Sequence, residues 1–187
     1  MRTIILASGS PRRRELLEQI GIPFQVMKSD AEEIITKSAP EEVVLELSAQ
    51  KAEAVAEQVE EGVILGADTI VAIDGEILGK PAGREHAGRM LKQLQGRTHS
   101  VFTGVTLIGK QAGKKERRSF FRETKVQIHS MSEEEIEAYL DTGDAFDKAG
   151  SYGIQGPFAA YVDGIEGDYS NVVGLPVSAV YQALKEF

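Results

Sequence analysis

Three consecutive arginines follow a short apolar run and a proline near the start of the chain, in the stretch SGSPRRREL. Pro11 suits the first position of a helix, where unpaired backbone N–H groups attract anions. Helical register turns Arg13 inward, places Arg12 beside that inward face and turns Arg14 outward. Together with the hydroxyl of Ser8, Arg12 and Arg13 therefore predict a phosphate site. A surface arginine cluster beside a well-formed helix is the alternative interpretation.

Two lysines also stand in unusual positions. Lys51 falls on the apolar stripe that Leu47 and Val55 define in a predicted helix. Its ammonium group must therefore either reach past that stripe to water or meet an anion. Lys80 follows a predicted strand in LGKP, where Pro81 restrains the exit of the chain. By itself, Lys80 carries little functional information.

The most informative acidic residue is Asp68, which separates the apolar runs VILGA and TIVAI. This pattern predicts a carboxylate at the end of a buried strand, where open α/β sheets bind their ligands. A charge in such a place needs a partner. A metal ligand, a general base and a structural hydrogen-bond acceptor are all compatible with the pattern. Glu32 and Glu33 lie in an acidic loop, where such runs are most often simply solvated, and their spacing alone indicates no site.

The stretch DKAGSYGIQG contains three glycines that would let the backbone approach a ligand closely. Gln155 adds a carboxamide, whose donor and acceptor pair suits the edge of a nucleobase. An ordinary glycine-rich loop explains the stretch equally well. The three histidines, His86, His99 and His129, lack the spacing of metal ligands, and no Ser/His/Asp triad is indicated.

Composition limits the class of protein. The chain has 187 residues, 21 basic and 29 acidic side chains and a formal net charge of −8, which argues against a nucleic-acid partner. It contains no cysteine, which excludes disulfides, thiolate zinc sites and a cysteine nucleophile and suits a reducing cytoplasm. No apolar run is long enough to cross a bilayer. We expect a cytoplasmic protein without a membrane or nucleic-acid partner.

The elements that must position these residues alternate between strand–helix units and hairpins. The predicted strands are Thr3–Ala7, Pro23–Lys28, Gly62–Ala67, His99–Ile108, Ser119–His129 and Phe158–Val162. The predicted helices run from Pro11 to a stop at Gly21, over Pro40–Glu60 and Arg84–Gln95, from Ser132 to Gly143, and from Pro176 onward. Hairpin turns are expected at Asp74–Gly75 and within KQAGKKERR, and Ser132 with Glu135 is typical of a capping box.

This order of elements predicts an α/β fold with a mixed, twisted sheet flanked by helices. The sequence contains no internal repeat, linker or low-complexity tract. We therefore expect a single domain over residues 1–187. Exposed hairpin edges are compatible with a homodimer.

The motifs taken together resemble one known family. ASGSPRR, QKA, GADTIV, LGKP, GRTHSVFTGV, DKAGSYGIQG and GDYSNVVGLP occur in this order nearly from end to end. Each motif is weakly specific, but their shared order and spacing resemble the Maf family of nucleoside triphosphate pyrophosphatases. GADT and DKAGSYGIQG resemble the subgroup that hydrolyses dTTP and UTP.

The resemblance implies a fold with two lobes around a cleft, similar to that of inosine triphosphate pyrophosphatases. It also implies a divalent metal ion, Mg²⁺ or Mn²⁺, and hydrolysis of the α–β phosphoanhydride bond to a nucleoside monophosphate and pyrophosphate. The family was named for an effect on septum formation, so a role in division is a further expectation.

The resemblance assigns roles to residues in the matching motifs. Asp68 corresponds to the proton acceptor, and Glu33 to a metal or water ligand, although Glu32 stands beside it. Three residues correspond to positions that set base preference: Arg12, Thr69 and Gln155. Four fall in motifs that line the phosphate site: Ser8, Arg13, Lys51 and Lys80. The sequence leaves open whether Asp68 acts as a base or as a metal ligand.

Two other functions remain compatible with the sequence. One is a pyrophosphatase for inosine or xanthosine triphosphate, which would use the same chemistry on a purine nucleotide. The other is a nucleotide-binding regulator of septum formation without turnover. The inward position of Lys51 and the buried position of Asp68 favour an enzyme, because a binding surface requires neither.

Overall fold

The computed structural model describes residues 2–187. Its strands are β1 (Ile4–Leu6), β2 (Phe24–Val26), β3 (Gly62–Ile73), β4 (Glu76–Leu78), β5 (Thr98–Gln111), β6 (Lys114–Ile128) and β7 (Val162–Glu166). Its helices are α1 (Pro11–Gln19), α2 (Pro40–Ala56), α3 (Arg84–Leu94), α4 (Glu133–Asp141), α5 (Tyr169–Val173) and α6 (Val177–Leu184). Short 3₁₀ turns cover Ala149–Ser151 and Pro157–Tyr161.

The strands form one seven-stranded mixed sheet in the order β2-β1-β3-β5-β6-β7, with β4 paired to β3. β1 runs parallel to β2 and β3, whereas the β3–β4 and β6–β7 pairs are antiparallel. Helices flank this sheet, so the predicted α/β class is confirmed. No helix among residues 2–187 has the length and apolar character that crossing a bilayer requires.

The chain folds into two compact units. The first comprises the residues up to Thr69 together with Thr103–Arg122 and Gly174–Phe187, and the second comprises Ile70–Phe102 and Glu123–Val173. Each unit has its own apolar cluster. The first is formed by residues of β1, α2, β3 and β5 and by the residue after β1, namely Ile5, Ala7, Ala52, Val55, Ala56, Ile64 and Ile108. In the second, Tyr139, Tyr152 and Phe158 stack beside aliphatic residues from α3 and α4.

Two glycines bring α2 close to the sheet in the first unit. A Cβ on Gly66 would lie 2.4 Å from the carbonyl oxygen of Ser48 and 2.8 Å from Cβ of Ala52. A Cβ on Gly104 would lie 2.2 Å from the carbonyl oxygen of Val44. Real Cβ atoms do not approach that closely, so only glycine permits this spacing. The close packing of α2 on the sheet therefore determines how far Lys51 lies from β3.

Several predicted boundaries are confirmed. Pro11 opens α1, the hairpin turn lies at Asp74–Gly75, and Ser132 and Glu135 form both bonds of a capping box. Ser10 occupies the N-cap position of α1, but its side chain makes no capping bond. Instead its backbone N–H donates to the hydroxyl of Ser8 at 3.2 Å.

The structure corrects the prediction that Asp68 ends a strand. β3 continues through Asp68 to Ile73, and its residues after Asp68 are almost all buried. The run TIVAI is rich in β-branched residues, which favour an extended chain. Asp68 therefore lies in the middle of β3 rather than at its end.

Three further predictions differ from the structure. The polar stretch KQAGKKERR is mostly strand, since the turn is only Ala112–Gly113, both with positive φ. A two-residue turn of this kind suits a long exposed hairpin. The expected strand at Phe158–Val162 is a 3₁₀ turn that leads into β7. α2 ends at Ala56 rather than near Glu60, and the short helix α5 has no counterpart in the prediction.

Candidate functional site

Most of the predicted site residues lie in the first unit, on five segments of its chain. Ser8 follows β1, Arg12 and Arg13 open α1, Lys51 lies in α2, and Asp68 and Thr69 lie in β3. Glu33 comes from the irregular segment between β2 and α2. The contacts described below join these segments directly.

Lys51 joins the two candidate carboxylates. Its ammonium contacts Oδ1 of Asp68 and lies 2.9 Å from Oε1 of Glu33. The side chain of Lys51 is 17% exposed and that of Asp68 is 11% exposed, whereas that of Glu33 is 52% exposed. The ammonium thus meets an anion inside the protein rather than reaching past the apolar stripe to water. That anion is a pair of the protein's own carboxylates.

This contact also distinguishes the two acidic neighbours in the loop. Glu33, not Glu32, forms the ion pair with Lys51. The assignment of Glu33 as a metal or water ligand remains a prediction, but the structure places the Glu33 carboxylate beside Asp68 through their shared partner.

Arg13 connects three separate parts of the first unit. Its Nε donates to the carbonyl oxygen of Gly174 at 2.9 Å. One terminal nitrogen donates to the hydroxyl of Ser8 and the other to the hydroxyl of Thr69, both at 3.2 Å. The planar guanidinium has five N–H donors in a rigid fork, so it can satisfy three acceptors at once. Arg13 therefore fixes the β1–α1 loop, β3 and the segment before α6.

The charges in this region influence one another. Burial is the main cause of a lowered pKa of the Arg13 guanidinium, and the positive charge of Arg12 lowers this pKa further. The negative charges of Asp68 and Glu33 act in the opposite direction and raise it. The guanidinium stays protonated, because an arginine does not lose its proton in proteins. Three cations, Arg12, Arg13 and Lys51, are thus gathered here with the carboxylates of Asp68 and Glu33.

Thr69 is held by more than Arg13. Its hydroxyl lies 2.9 Å from that of Thr103 in β5 and donates to the carbonyl oxygen of Gly174 at 3.4 Å. Thr103 is completely buried. Sequence reasoning did not single out Thr103 or Gly174, although both fall in motifs that carry the family resemblance, GRTHSVFTGV and GDYSNVVGLP.

Arg12 is half-buried and Arg14 is exposed, which agrees with the predicted orientation of the arginine run. Arg12 is adjacent to Arg13 in α1 and acts on its pKa. Its assignment to base preference remains a prediction.

Lys80 and Gln155 belong to the second unit. Lys80 is an exposed residue in a bend after β4, and Gln155 is exposed in a turn between the two 3₁₀ segments. Their assignments to the phosphate and to the base remain predictions.

The glycines around Gln155 have a structural explanation within their own unit. Lys148 pairs with Asp144 at 3.0 Å, and the turn that carries Gln155 packs on this pair. A Cβ on Gly153 would lie 2.6 Å from Cε of Lys148, and one on Gly156 would lie 2.9 Å from Oδ2 of Asp144. The absence of a side chain at Gly153 and Gly156 therefore lets the turn pack closely on this pair.

The donor set of the first unit is compatible with a divalent ion. The two carboxylates converge on one cation, the ammonium of Lys51. Mg²⁺ is commonly held by one or two carboxylates together with phosphate oxygens of the substrate. Residues 2–187 contain no group of three or more acidic, histidine or cysteine side chains that could enclose a metal by themselves.

Comparison with known proteins places the chain in a family. A family model described as Maf-like protein matches residues 3–187. A relative from Agathobacter rectalis named dTTP/UTP pyrophosphatase is 51% identical over 100% of this chain and 98% of its own length. Relatives of the same name from Lachnoclostridium phytofermentans and Bacillus anthracis are 50% and 49% identical, each over 100% of this chain and 96% of its own.

A solved structure of the Staphylococcus aureus Ham1 protein aligns with 68% of this chain and 72% of its own, with a TM-score of 0.49 and 18% identity. That likeness is too low to carry an argument. The match over residues 3–187 and the identity near 50% to full-length relatives are sufficient: the chain belongs to the Maf-like protein family.

Proposed function

We propose that this protein is a nucleoside triphosphate pyrophosphatase that hydrolyses dTTP and UTP to the monophosphate and pyrophosphate. The observation that carries the proposal is the cluster of Arg12, Arg13 and Lys51 with Asp68 and Glu33. Relatives about half identical over their full length carry the name dTTP/UTP pyrophosphatase. The substrate class follows from those relatives, and the chemistry follows from the cluster.

Cleavage of the α–β bond builds negative charge on the departing pyrophosphate. A water molecule attacks the α-phosphorus and loses one proton, and the bond to the bridging oxygen breaks with its electron pair on pyrophosphate. Hydrolysis of this kind depends mainly on positioning and on cations that stabilise the developing charge. Arg12 and the remaining N–H donors of Arg13 can provide that stabilisation at the N-terminus of α1.

Asp68 is the residue we assign as proton acceptor. Lys51 contacts one oxygen of its carboxylate, Oδ1, which leaves the second oxygen for the attacking water. The neighbouring ammonium balances the charge of the carboxylate and holds it in place. Its buried position orients the carboxylate and restricts competing hydration.

We further propose that Glu33 and Asp68 hold a divalent cation, Mg²⁺ or Mn²⁺, when the nucleotide binds. When bound, such an ion neutralises phosphate charge and lowers the pKa of a nearby water. The proposal rests on the convergence of the two carboxylates on one ammonium group. Lys51 then supplies a positive charge that can turn toward the phosphates.

A nucleotide panel tests the proposed function. The protein is incubated with dTTP, UTP, CTP, ITP and XTP, with Mg²⁺, with Mn²⁺ or with chelator. The reaction is stopped, and the monophosphate and pyrophosphate formed are measured by chromatography, which needs no metal-dependent coupling enzyme. We expect metal-dependent release, fastest from dTTP and UTP. Faster release from ITP and XTP would favour the purine pyrophosphatase alternative. Nucleotide binding without release from any substrate would favour the regulator without turnover.

A further inference from the structure

The loop that carries Glu33 is held to α2 by a pair of side chains one helical turn apart. Gln50 bonds both polar backbone groups of Ile34: the N–H donates to Oε1 at 3.0 Å, and Nε2 donates to the carbonyl oxygen at 2.6 Å. A carboxamide that satisfies both groups of one residue imitates the pairing of a neighbouring β-strand. It fixes the position and the direction of the backbone at Ile34.

Glu46 makes the second attachment. One carboxylate oxygen accepts the backbone N–H of Thr36 at 2.8 Å, and the other accepts the Thr36 hydroxyl. These bonds lower the pKa of Glu46, first through the side chain and then through the backbone of Thr36. Because Glu46 and Gln50 are four residues apart, they lie on the same face of α2.

These attachments are the main polar restraint on a segment that the core does little to hold. The segment between β2 and α2 has no regular secondary structure. The side chains of Ile34 and Ile35 are both 57% exposed, so apolar burial contributes little to its conformation. Gln50 makes two hydrogen bonds to Ile34, and Glu46 makes two to Thr36, so the residues on both sides of Ile35 are held. The first of these restrained residues, Ile34, directly follows Glu33.

The same helix carries the ammonium that Glu33 meets. Lys51 follows Gln50 in sequence, and its Nζ lies 2.9 Å from Oε1 of Glu33. α2 therefore provides both the restraint on the backbone of the loop and the charge that its carboxylate contacts. If the backbone of the loop were free, the half-exposed Glu33 side chain would sample many conformations. Placing its carboxylate against Lys51 would then cost more conformational entropy.

We propose that Gln50 and Glu46 form a clamp on α2 whose role is to position the Glu33 carboxylate beside Asp68 for catalysis. Both are positioning residues, since they act through Glu33 and touch no reacting atom. The inference rests on the proposed function. It adds two residues that neither the sequence motifs nor the charge cluster assigned.

The first experiment replaces Gln50 with Met, which keeps the length of the side chain and removes both bonds to Ile34. Gln58→Met is the matched control, because Gln58 lies beyond the end of α2 and its side chain bonds the Ala54 carbonyl, away from the loop. Hydrogen exchange measures the Ile34 and Thr36 amides, and steady-state kinetics measures kcat and KM for dTTP at saturating Mg²⁺. We expect faster exchange at Ile34 and a loss of about 10-fold or more in kcat, as for other residues that orient a ligand, with Gln58→Met unchanged.

A double-mutant cycle separates positioning from general support of the fold. If Gln50 acts through Glu33, then Gln50→Met has little further effect on kcat in a Glu33→Gln background. An equal loss of kcat in both backgrounds would overturn the proposal, as would unchanged exchange at Ile34. Glu46→Met repeats the test at Thr36, so the proposal stays falsifiable even if one variant folds poorly.

The outcomes also separate this inference from the proposed function. A wild-type protein that releases no pyrophosphate from any nucleotide overturns both the activity and the positioning role, whatever the exchange data show. A wild-type protein that turns over dTTP, beside a Gln50→Met variant with normal kcat, overturns the positioning role alone.

Discussion

The ammonium of Lys51 lies between the carboxylates of Asp68 and Glu33, in contact with the first and 2.9 Å from the second. The two carboxylates repel each other, and Lys51 is the cation that lets them share one site. Under the proposed function, the ammonium occupies the position that a divalent ion takes when the nucleotide binds. Lys51 therefore links the stability of the fold to the chemistry of the site.

Replacing Lys51 with Met is expected to lower the free energy of unfolding and to increase the stabilisation that bound Mg²⁺ provides. Removing one partner of a buried ion pair leaves an uncompensated charge and costs roughly 3 kcal/mol in free energy of unfolding. Urea unfolding with and without Mg²⁺ measures this, and the metal should stabilise Lys51→Met more than the wild type. Equal stabilisation of both proteins would show that the ammonium and the metal do not share a site.

Replacing Arg13 with Lys should impair the enzyme although the charge is kept. A single ammonium cannot reach Ser8, Thr69 and Gly174 together, as the guanidinium does. Misplacement of site residues by about 1 Å can reduce the rate about 100-fold. kcat/KM for dTTP is the measurement, with the exposed neighbour Arg14→Lys as control. Full activity of Arg13→Lys would mean that only the charge of Arg13 matters.

Replacing Gly66 with Ala should move α2 away from β3. The added Cβ would meet the backbone of Ser48 at 2.4 Å, and that backbone cannot yield without shifting the helix that carries Lys51. We expect a loss of stability of about 1–3 kcal/mol from overpacking, together with reduced kcat. Gly79→Ala is the control, since nothing lies within 4 Å of its Cβ. Thermal unfolding and dTTP turnover test both effects, and an unaffected Gly66→Ala would contradict them.

His99 predicts a loss of stability in acid. Burial lowers its pKa from 6.5 to about 4, while its Nε2 pairs with the Tyr152 hydroxyl at 2.7 Å. The unfolded state then binds the proton more readily, so stability falls as pH falls from about 6.5 to 4, by roughly 3 kcal/mol. Urea unfolding across this range should show a shallower pH dependence for His99→Gln. Identical slopes for the wild type and His99→Gln would contradict the assignment.

The elements that the sequence predicts best are those with a local cause. Proline at the first turn of α1, the Asp74–Gly75 turn and the capping box at Ser132 each depend on neighbouring residues, and each is confirmed. The sequence-based predictions are wrong where contacts with distant residues, rather than neighbours in sequence, determine the conformation. The hairpin β5–β6 continues through a polar stretch that resembles a loop. Phe158 starts no strand, because it lies in a 3₁₀ turn that Pro157 opens.

The candidate site is only partly predictable for a similar reason. An inward lysine and a buried aspartate could each be identified from their apolar neighbours. The sequence does not show that Lys51 and Asp68 form an ion pair with each other. That pairing depends on how closely α2 approaches β3, which Gly66 sets. Likewise, the sequence of the loop does not reveal that Gln50 holds Ile34 or that Glu33, rather than Glu32, meets Lys51. The predicted cytoplasmic location, homodimer and role in septum formation stay predictions.

Pyrophosphate release from dTTP by the wild type and by Asp68→Asn, measured side by side, tests the central claim most directly. Asparagine keeps the shape of the side chain but cannot accept the proton of the attacking water. Asp74→Asn, in an exposed ion pair with Arg97, is the matched control. We predict that Asp68→Asn folds and loses at least about 100-fold in kcat, while Asp74→Asn keeps wild-type turnover. A folded Asp68→Asn variant with near-normal release of pyrophosphate would contradict the account.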